Sequence, residues 1–380
     1  MVEGIYIHIP FCQQICHYCD FNKVFIKNQP VDEYIEALNT EIILLMQSGA
    51  ITRNPKTIFL GGGTPTALNP SQLLRLMEII QQHFDLPTVI EFTSEANPDD
   101  LTLEKMQILK DGGVNRLSIG VQSFHPELLK KIGRTHSNED AYRTIELAKE
   151  IGFQNLSIDL MYGLPGQTME DWVETLDIAL KLDLPHYSAY SLIIEPKTVF
   201  YNLMNKGKLR LPGEDLEAEM YGLLMKRMEE AGKWQYEISN FAQPGTESLH
   251  NLIYWNNDSY AGIGAGAHGY LNGTRYSNVG PLKRYINLLQ EGQLPVLQSH
   301  EVPTKEKIEE ELFLGLRKIE GVSSKRFKEK FRLDLLSIFG DKIENLIEQG
   351  LLEWCDDSIK LTQKGKYLGN EVFQEFLISG

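Results

Sequence analysis

The stretch YIHIPFCQQICHYCDF, residues 6–21, carries three of the four cysteines of this 380-residue chain. Cys12, Cys16 and Cys19 follow the spacing C-x3-C-x2-C, which is short enough for three thiolates to bind one metal centre. A zinc ion needs a fourth Cys or His nearby, whereas three thiolates can hold an iron–sulfur cubane and leave one iron open to another ligand. The pattern therefore favours a 4Fe-4S cluster.

His17 and Cys355 are the alternatives to a site made of these three cysteines. His17 lies between Cys16 and Cys19, so it could complete a zinc site only by folding back onto a metal that its neighbours already bind. Cys355 is far away and is followed by two aspartates, which is more typical of a small, partly buried residue than of a ligand. The zinc alternative stays open at this point.

Composition predicts a cytoplasmic protein that does not bind nucleic acid. The chain has 52 acidic and 37 basic residues and a formal net charge of −15, which opposes attraction to phosphate backbones. The N-terminus lacks the basic region and cleavage site of a secretory signal, and no uncharged apolar stretch is long enough to span a bilayer. We therefore expect no transmembrane segment, and reduced cysteines fit a reducing compartment.

Short β-branched or aromatic runs alternate with longer amphipathic segments over the first 200 residues. The predicted strands are Ile5–Ile9, Thr57–Leu60, Val89–Thr93, Arg116–Gly120, Leu156–Leu160 and Tyr187–Ile193. The predicted helices are Asp32–Gln47, Ser71–His83, Leu103–Asp111, Asn138–Ile151 and Met169–Leu182. Repeated strand–helix units form parallel sheets with right-handed crossovers, so we predict an α/β fold with a partial parallel β/α barrel.

Polar and glycine residues collect where these strands end. The second strand runs into GGGTPT at 61–66, and the next strands reach Glu95, Gln122 and Asp159 with GLPG at 163–166. The carboxyl ends of parallel strands meet on one face of the sheet, so these residues should share a site with the cysteines. Separately, each has a structural alternative: a tight glycine turn, or ordinary acids at strand ends and helix caps.

The strand–helix alternation weakens after Pro196. We expect a helix at 214–232, a strand at Tyr236–Phe241 and an irregular glycine- and aromatic-rich segment at 250–273. A boundary is predicted in Gly292–Pro303. Beyond it, helices at Lys305–Lys318, Ser323–Phe331 and Leu335–Gln349 precede a hairpin about residues 356–358, which indicates a small winged-helix-like α+β domain. The predicted division is a barrel at 1–240, a connecting segment at 241–300 and the C-terminal domain at 301–380.

Five motifs in this order resemble one family. YIHIPFC before the cysteine loop, GGGTPT, SEANP at 94–98, GVQSF at 120–124 and DLMYGLPGQ at 159–167 are similar to radical S-adenosylmethionine proteins of the oxygen-independent coproporphyrinogen oxidase group. The resemblance covers nearly the whole chain, including the C-terminal domain. HNLIYW at 250–255 looks like the H-N-x-x-Y-W signature of a heme-chaperone subgroup. Two features of the oxidase are missing here, as in that subgroup. The oxidase has a further cysteine two residues after the third, where this chain has Asp20-Phe21, and it also has an N-terminal arm.

The resemblance implies a 4Fe-4S cluster, S-adenosylmethionine and heme as cofactors. It places the cluster on Cys12, Cys16 and Cys19, and it assigns no catalytic residue. The positions that match the family's S-adenosylmethionine site are Tyr6, Gly62, Gly63, Thr64, Glu95, Gln122, Arg134 and Asp159. A guanidinium suits the cofactor's carboxylate, whereas Glu95 suits its ammonium group. Tyr190 is either a contact to adenine or a core tyrosine.

His250 is the implied heme ligand, because a neutral imidazole is a common axial ligand to heme iron. Tyr254 and Trp255 would stack on the macrocycle, and His268 is a second candidate ligand. The structural alternative is a packed corner in which His250 bonds to a backbone carbonyl.

The resulting hypothesis is a heme chaperone that delivers heme to apoproteins such as membrane respiratory enzymes, with a homodimer as one arrangement to test. Whether it is an enzyme stays open. The competing hypothesis is an oxygen-independent coproporphyrinogen III dehydrogenase. A third, a DNA-reading C-terminal domain, conflicts with the acidic composition.

Overall fold

A twelve-stranded sheet forms the body of the protein in the computed structural model, which describes residues 2–377. Within that range the strands, in chain order, are β1 (Gly4–Ile9), β2 (Phe11–Cys12), β3 (Val24–Phe25), β4 (Thr57–Gly62), β5 (Glu91–Ala96), β6 (Arg116–Gln122), β7 (Asn155–Tyr162), β8 (His186–Ser191), β9 (Trp234–Glu237), β10 (Asn240–Ala242), β11 (Tyr260–Ile263), β12 (His268–Leu271), β13 (Thr274–Asn278), β14 (Val296–Glu301), β15 (Val322–Ser323), β16 (Leu352–Cys355) and β17 (Ser358–Leu361).

The α-helices lie mostly between consecutive strands of the sheet. They are α1 (Val31–Gln47), α2 (Pro70–His83), α3 (Leu103–Asp111), α4 (Pro126–Lys131), α5 (Asn138–Ile151), α6 (Met169–Lys181), α7 (Val199–Asn205), α8 (Glu214–Glu230), α9 (Leu249–Trp255), α10 (Leu282–Gln290), α11 (Thr304–Gly315), α12 (Ser324–Phe331), α13 (Leu335–Glu348), α14 (Gln363–Tyr367) and α15 (Gly369–Glu375).

Seven neighbouring strands of the sheet run parallel, in the order β11-β1-β4-β5-β6-β7-β8. Antiparallel strands extend both edges: β12, β13 and β14 beyond β11, and β10 and β9 beyond β8. Strands alternate with helices as the sequence pattern indicates, so the predicted α/β class with a parallel sheet is confirmed.

Side chains alternate between the two faces of the parallel strands. On β1, Ile5, Ile7 and Ile9 join the main apolar core together with residues of α1 and α2. The intervening residues face the inside of the curved sheet, where strand pairing aligns them in layers. The first two layers are Gly4–Thr57–Glu91, called the lower layer here, and Tyr6–Phe59–Thr93, called the middle layer. Above them lie His8, Gly61 and Glu95.

α9 closes the end of the sheet at which the parallel strands begin. Its N-terminal backbone groups donate to Glu91, and the His250 ring bonds to Thr57, so it packs directly under the lower layer. Glycine is needed at position 4, because a Cβ there would lie 2.9 Å from the Ile253 side chain and 3.1 Å from the His250 ring. The opposite end of the sheet is left for the loops that follow the strands.

The C-terminal helices and the three-stranded sheet β15-β17-β16 surround an apolar core of their own. Backbone hydrogen bonds from Ile238 to Arg317 and from Ile319 to Tyr236 join this part to the large sheet. In the described part of the chain, no helix is both long and apolar enough to cross a membrane.

Two predictions about irregular regions are wrong. The single strand predicted at Tyr236–Phe241 is two strands, because the Glu237 side chain accepts hydrogen bonds from the Ser239 backbone and the Asn240 side chain and holds a turn. The segment 250–273 contains α9, β11 and β12 rather than irregular chain. The region Gly292–Pro303, in which a boundary is predicted, contains β14, the edge strand of the large sheet. The three-domain division stays a prediction.

Candidate functional site

A pocket lies where the parallel strands end, under the cysteine loop. It brings together side chains from β4 to β8 with those of residues 12–23. Its lining consists of Cys12, Gln14, Ile15, Cys16, Tyr18, Cys19, Phe21, Lys23, Gly62, Gly63, Thr64, Glu95, Ala96, Asn97, Ser118, Gly120, Gln122, Arg134, Asp159 and Tyr190. Ten of the twelve residues predicted for the cofactor and metal sites are therefore in one place, and Tyr6 and His250 are outside the lining.

The glycines after β4 let the cysteine loop pass close to that strand. A Cβ on Gly63 would lie 2.8 Å from backbone atoms of Pro10 and Phe11, directly before Cys12. Gly62 has a φ of +115°, and a Cβ there would lie 2.5 Å from the His8 ring. Glycine is needed at both positions because residues 8–11 approach them so closely, whether or not a ligand also contacts them.

The three cysteines line one wall of the pocket. Cys12 is buried, whereas Cys16 and Cys19 are half-buried, and all three are free thiols. Burial raises the pKa of Cys12 to about 12, and the hydroxyl of Thr64, 3.8 Å from its sulfur, acts in the opposite direction. Binding of iron requires the thiolate form, and a set of three thiols suits an iron–sulfur cluster. Among residues 2–377, no group of three or more His, Cys, Asp or Glu side chains, the three cysteines included, is arranged so that it could hold a metal ion.

His17 is outside the pocket lining and contacts other parts of the chain. Its Nδ1 bonds to the carbonyl oxygen of Lys131 at 2.8 Å, and its ring packs edge-on against Phe200. Its backbone N–H donates to Ile132, and its carbonyl accepts from Phe200. The side chain thus fixes the loop to α4 and α7, and the zinc alternative with His17 as fourth ligand has no support in this geometry.

Arg134 begins a chain of polar contacts that ends at Cys12. Its Nη1 donates to Asn97 Oδ1 at 2.5 Å, and Asn97 Nδ2 donates to the Thr64 hydroxyl at 3.3 Å. Gly120 leaves the space that the guanidinium occupies, since a Cβ there would lie 2.8 Å from Arg134 Nη2. The Nε of Arg134 is buried and has no hydrogen-bond partner. An unpaired buried donor in a pocket wall fits a ligand with a carboxylate.

Glu95 and Asp159 place two carboxyl groups on the floor of the pocket. Burial, and next the charge of Asp159, raise the pKa of Glu95 to about 8, although its Oε2 accepts from the Gly62 N–H at 3.1 Å. Burial also raises the pKa of Asp159, which accepts from the Ser118 hydroxyl at 3.0 Å. A cationic ligand group between these acids would favour their ionised forms.

Gln122 has a backbone conformation that side-chain-bearing residues rarely adopt. Its φ is +67°, and the pairing of β6 with β7 shifts between Gly120 and Gln122. The irregularity lies at the pocket, where the Tyr190 hydroxyl donates to Gln122 Oε1 at 3.2 Å. Strained positions of this kind cluster at functional sites because the surrounding structure holds a side chain in a required place.

Tyr6 lies one layer below the pocket. It is in the middle of β1 rather than at its end, because the strand continues to Ile9. Its hydroxyl bonds to His8 Nδ1 at 3.0 Å, and its ring stacks on Phe59 with the centroids 6.1 Å apart. A contact between Tyr6 and a cofactor stays a prediction.

His250 is fully buried in α9, and both of its ring nitrogens have partners. Nδ1 bonds to the Thr57 hydroxyl at 2.7 Å and Nε2 to the Tyr254 hydroxyl at 2.9 Å. Burial, and next the charge of Arg116, lower the pKa of His250 to about 3, so the ring is neutral. The partners are side chains and not the backbone carbonyl of the packed-corner alternative.

Sequence reasoning missed several lining residues, chiefly Asn97, Ser118, Tyr18 and Lys23. Asn97 belongs to SEANP, so the motif contained the signal. Ser118 could have been found by strand alternation, since it lies two residues before Gly120 and pairs with Glu95.

The comparisons with known proteins show the family to which the chain belongs. The profile of the Radical SAM superfamily matches residues 6–179, and that of the HemN C-terminal domain matches residues 302–368. Proteins named Heme chaperone HemW are 56% identical in Bacillus subtilis, over 99% of both chains, and 48% identical in Lactococcus lactis, over 99% of this chain and 97% of the relative. The Escherichia coli HemW is 34% identical over 98% of both chains.

A solved structure has the same fold over nearly the whole length. It is the Escherichia coli coproporphyrinogen III oxidase HemN, described as a radical SAM enzyme, with 25% identity and a TM-score of 0.83. The match covers 98% of this chain and 89% of that one. The chain therefore belongs to the radical SAM superfamily and, within it, to the HemW family of HemN-related proteins.

Proposed function

We propose that this chain is a cytoplasmic heme chaperone that binds a 4Fe-4S cluster, S-adenosylmethionine and heme. It delivers heme to apoproteins, membrane respiratory enzymes among them. The observation that carries this proposal is the full-length similarity to proteins named Heme chaperone HemW, at 56% identity. The pocket supports the two cofactors of the radical SAM superfamily, because thiols, a glycine loop and opposed charges meet there.

In the proposed site, Cys12, Cys16 and Cys19 hold three irons of the cluster. One-electron reduction of S-adenosylmethionine is the chemistry that such a cluster supplies. Arg134 binds the cofactor's carboxylate through its guanidinium, and Glu95 accepts from the ammonium group. The positions of Gln122 and Asp159 suit the ribose hydroxyls, with which an amide and a carboxylate form hydrogen bonds.

For heme, the two candidate ligands differ in access. His250 is enclosed, and binding of iron by it requires the loss of its bond to Thr57 or to Tyr254. Tyr254 is packed edge-on against His250, and Arg317 covers the Trp255 ring at 4.5 Å, so both rings have protein contacts where a macrocycle would stack. His268 is exposed at the start of β12. His268 is accessible from solvent, whereas iron can bind His250 only if one of its two hydrogen bonds breaks.

A heme titration of the anaerobically reconstituted protein tests the proposal. The Soret band of added heme should shift and saturate with the wild-type chain. We expect His268→Ala or His250→Ala to weaken this change, and His300→Ala to leave it unaltered, because His300 is an exposed histidine on another strand. If no variant affects saturation, both ligand assignments fail. If the wild-type chain does not saturate, the heme proposal itself fails.

The 0.83 TM-score to HemN supports one competing function, coproporphyrinogen III dehydrogenation. Incubation of the reduced, reconstituted protein with coproporphyrinogen III and S-adenosylmethionine distinguishes the two. We expect no protoporphyrinogen from this chain, and formation of that product at multiple turnovers would favour the dehydrogenase.

A further inference from the structure

We propose that α9 is a positioning element for the cofactor pocket, because a stack of rings, the buried His250 and the partly buried Phe59 and Tyr6, carries its position through the sheet. Glu91 fixes one end of this helix, and Lys318, Arg326 and Lys330 fix the other. The inference rests on the proposed binding of S-adenosylmethionine in the pocket. It gives HNLIYW a role that does not depend on heme.

The N-terminal end of α9 is bound by a buried carboxylate. Glu91 is 3% exposed and accepts from the backbone N–H groups of Leu249 at 2.8 Å and His250 at 3.0 Å. The Ser248 hydroxyl donates to the same side chain at 3.4 Å. A negative charge is favourable at a helix N-terminus, where backbone donors have no partner inside the helix. Glu91 begins β5, so this contact joins α9 to the lower layer.

The C-terminal end of α9 is bound by three cations of the C-terminal part. Lys318 Nζ and Arg326 Nη1 donate to the Asn256 side-chain oxygen at 2.8 and 3.3 Å. Lys330 Nζ donates to the backbone carbonyls of Asn256 and Asn257, both at 3.3 Å. Cations are favourable at this end of a helix. The orientation of α9 therefore depends on the large sheet at one end of the helix and on the C-terminal part at the other.

The ring stack runs from α9 to the pocket. The His250 ring stacks on Phe59 with the centroids 5.1 Å apart, and Phe59 stacks on Tyr6 at 6.1 Å. Tyr6 bonds to His8, whose ring occupies the place that a Cβ of Gly62 would need. Contacts of ring on ring and ring on backbone thus connect α9 with the glycine loop.

Phe59 also lies close to the floor of the pocket. The position of a Cβ on Gly61 is 2.9 Å from both Phe59 Cε1 and Glu95 Oε2, so both side chains lie against Gly61. Protein interiors are close-packed, so a ring removed here lets neighbouring groups shift. Sites that bind through hydrogen bonds lose affinity when their groups move by about 1 Å.

Phe59→Leu tests the stack, and Phe92→Leu is the matched control. Phe92 is a buried aromatic residue that pairs with Ile58 on the next strand, and it belongs to the outer apolar core. In reconstituted protein with unchanged iron and sulfide content, Phe59→Leu should weaken S-adenosylmethionine binding about 5- to 30-fold, equivalent to about 1–2 kcal/mol. It should also alter the change that S-adenosylmethionine causes in the electron paramagnetic resonance spectrum of the reduced cluster. Phe92→Leu should leave both at wild-type values.

Lys330→Met tests the same relation from the far end of α9, with Lys325→Met as its control on the same helix. We expect weaker S-adenosylmethionine binding for Lys330→Met alone, because exposed Lys325 does not contact α9 through any described hydrogen bond of its side chain. The inference is overturned if Phe59→Leu and Lys330→Met bind like the wild type, or if Phe92→Leu weakens binding equally. A wild-type chain that binds no S-adenosylmethionine would instead overturn the proposed function, and this inference with it.

Discussion

Thr57 and His250 share a hydrogen bond of 2.7 Å although 193 residues separate them in the chain. Both side chains are almost fully buried. The bond joins the first residue of β4 to α9, so the histidine of HNLIYW is part of the interior of the large sheet. A motif that the family resemblance links to heme is also a structural element of this sheet.

Thr57→Val should destabilise the protein by roughly 1–3 kcal/mol, because it leaves a buried histidine nitrogen without a partner. Chemical unfolding followed by fluorescence measures this change. Thr40→Val is the control, since the Thr40 hydroxyl bonds to a backbone carbonyl on the exposed side of α1. Equal midpoints for Thr57→Val and the wild type would show that the bond contributes nothing.

Gly63→Ala should reduce cluster incorporation. The added methyl group would lie 2.8 Å from backbone atoms of Pro10 and Phe11, and the chain must shift just before Cys12. Iron and sulfide per chain after reconstitution measure the loss. Gly340→Ala serves as the control, because a Cβ there meets no atom within 4 Å in the middle of α13, and alanine should stabilise that helix by about 0.5–1 kcal/mol. Full incorporation in Gly63→Ala would contradict the steric argument.

Glu95→Gln should stabilise the cofactor-free protein increasingly as pH rises from about 4.5 to about 8. The folded pKa of Glu95 is raised to about 8 from the ordinary 4.5, so its stabilising contribution is complete below 4.5 and is lost as pH rises through 8. The difference between variant and wild type grows by at most about 1.4 kcal/mol per pH unit in that range. Urea unfolding at pH 5, 6.5 and 8 measures it.

The same substitution should weaken S-adenosylmethionine binding. In the wild type, affinity should increase as pH rises towards 8, since ionised Glu95 accepts better from an ammonium group. Binding by Glu95→Gln should be weaker and lack this rise. A parallel pH dependence in the two proteins would assign the effect to another group.

Arg134→Lys should weaken S-adenosylmethionine binding at least tenfold. Lysine keeps the charge but loses the Nε donor and the fork that bonds to Asn97, and a hydrogen bond to a charged group contributes about 1.5–3 kcal/mol. Equilibrium dialysis of reconstituted protein measures the affinity. Arg143→Lys is the control, because Arg143 forms an exposed pair with Asp140 on α5. Equal affinities for Arg134→Lys and Arg143→Lys would refute the role of the guanidinium.

Much of the parallel sheet could be predicted from sequence because its strands are short β-branched runs between amphipathic helices. α5 has its predicted bounds, Asn138–Ile151, since Ser137 and Asp140 form a capping box that marks its start. The pocket followed from the rule that parallel strands end on one face. Its cofactor chemistry is implied by the resemblance of the motifs at these strand ends to a known family.

The remaining features depend on contacts that no local pattern records. The seven-residue α9 lacks a clear apolar stripe, and its ends are bound by Glu91 and Lys330, which are distant in sequence. Parallel pairing of β11 with β1 is equally non-local. The close approach of β12 to β11 requires glycine at position 262, because a Cβ there would lie 1.9 Å from the His268 carbonyl oxygen. The burial of His250 depends on the contacts at the ends of α9 and on the pairing of β11 with β1, so sequence alone could not reveal it.

The pairing of β1 with β11 sets an order for biosynthesis. β1 leaves the ribosome well before β11, because the strand that covers one of its edges begins only at Tyr260. At a translation rate of about 5–20 residues per second, the nascent chain exposes that edge for roughly 10–50 s. During this interval the cysteine loop is attached to an incomplete sheet, so insertion of the metal centre is expected to follow release of most of the polypeptide.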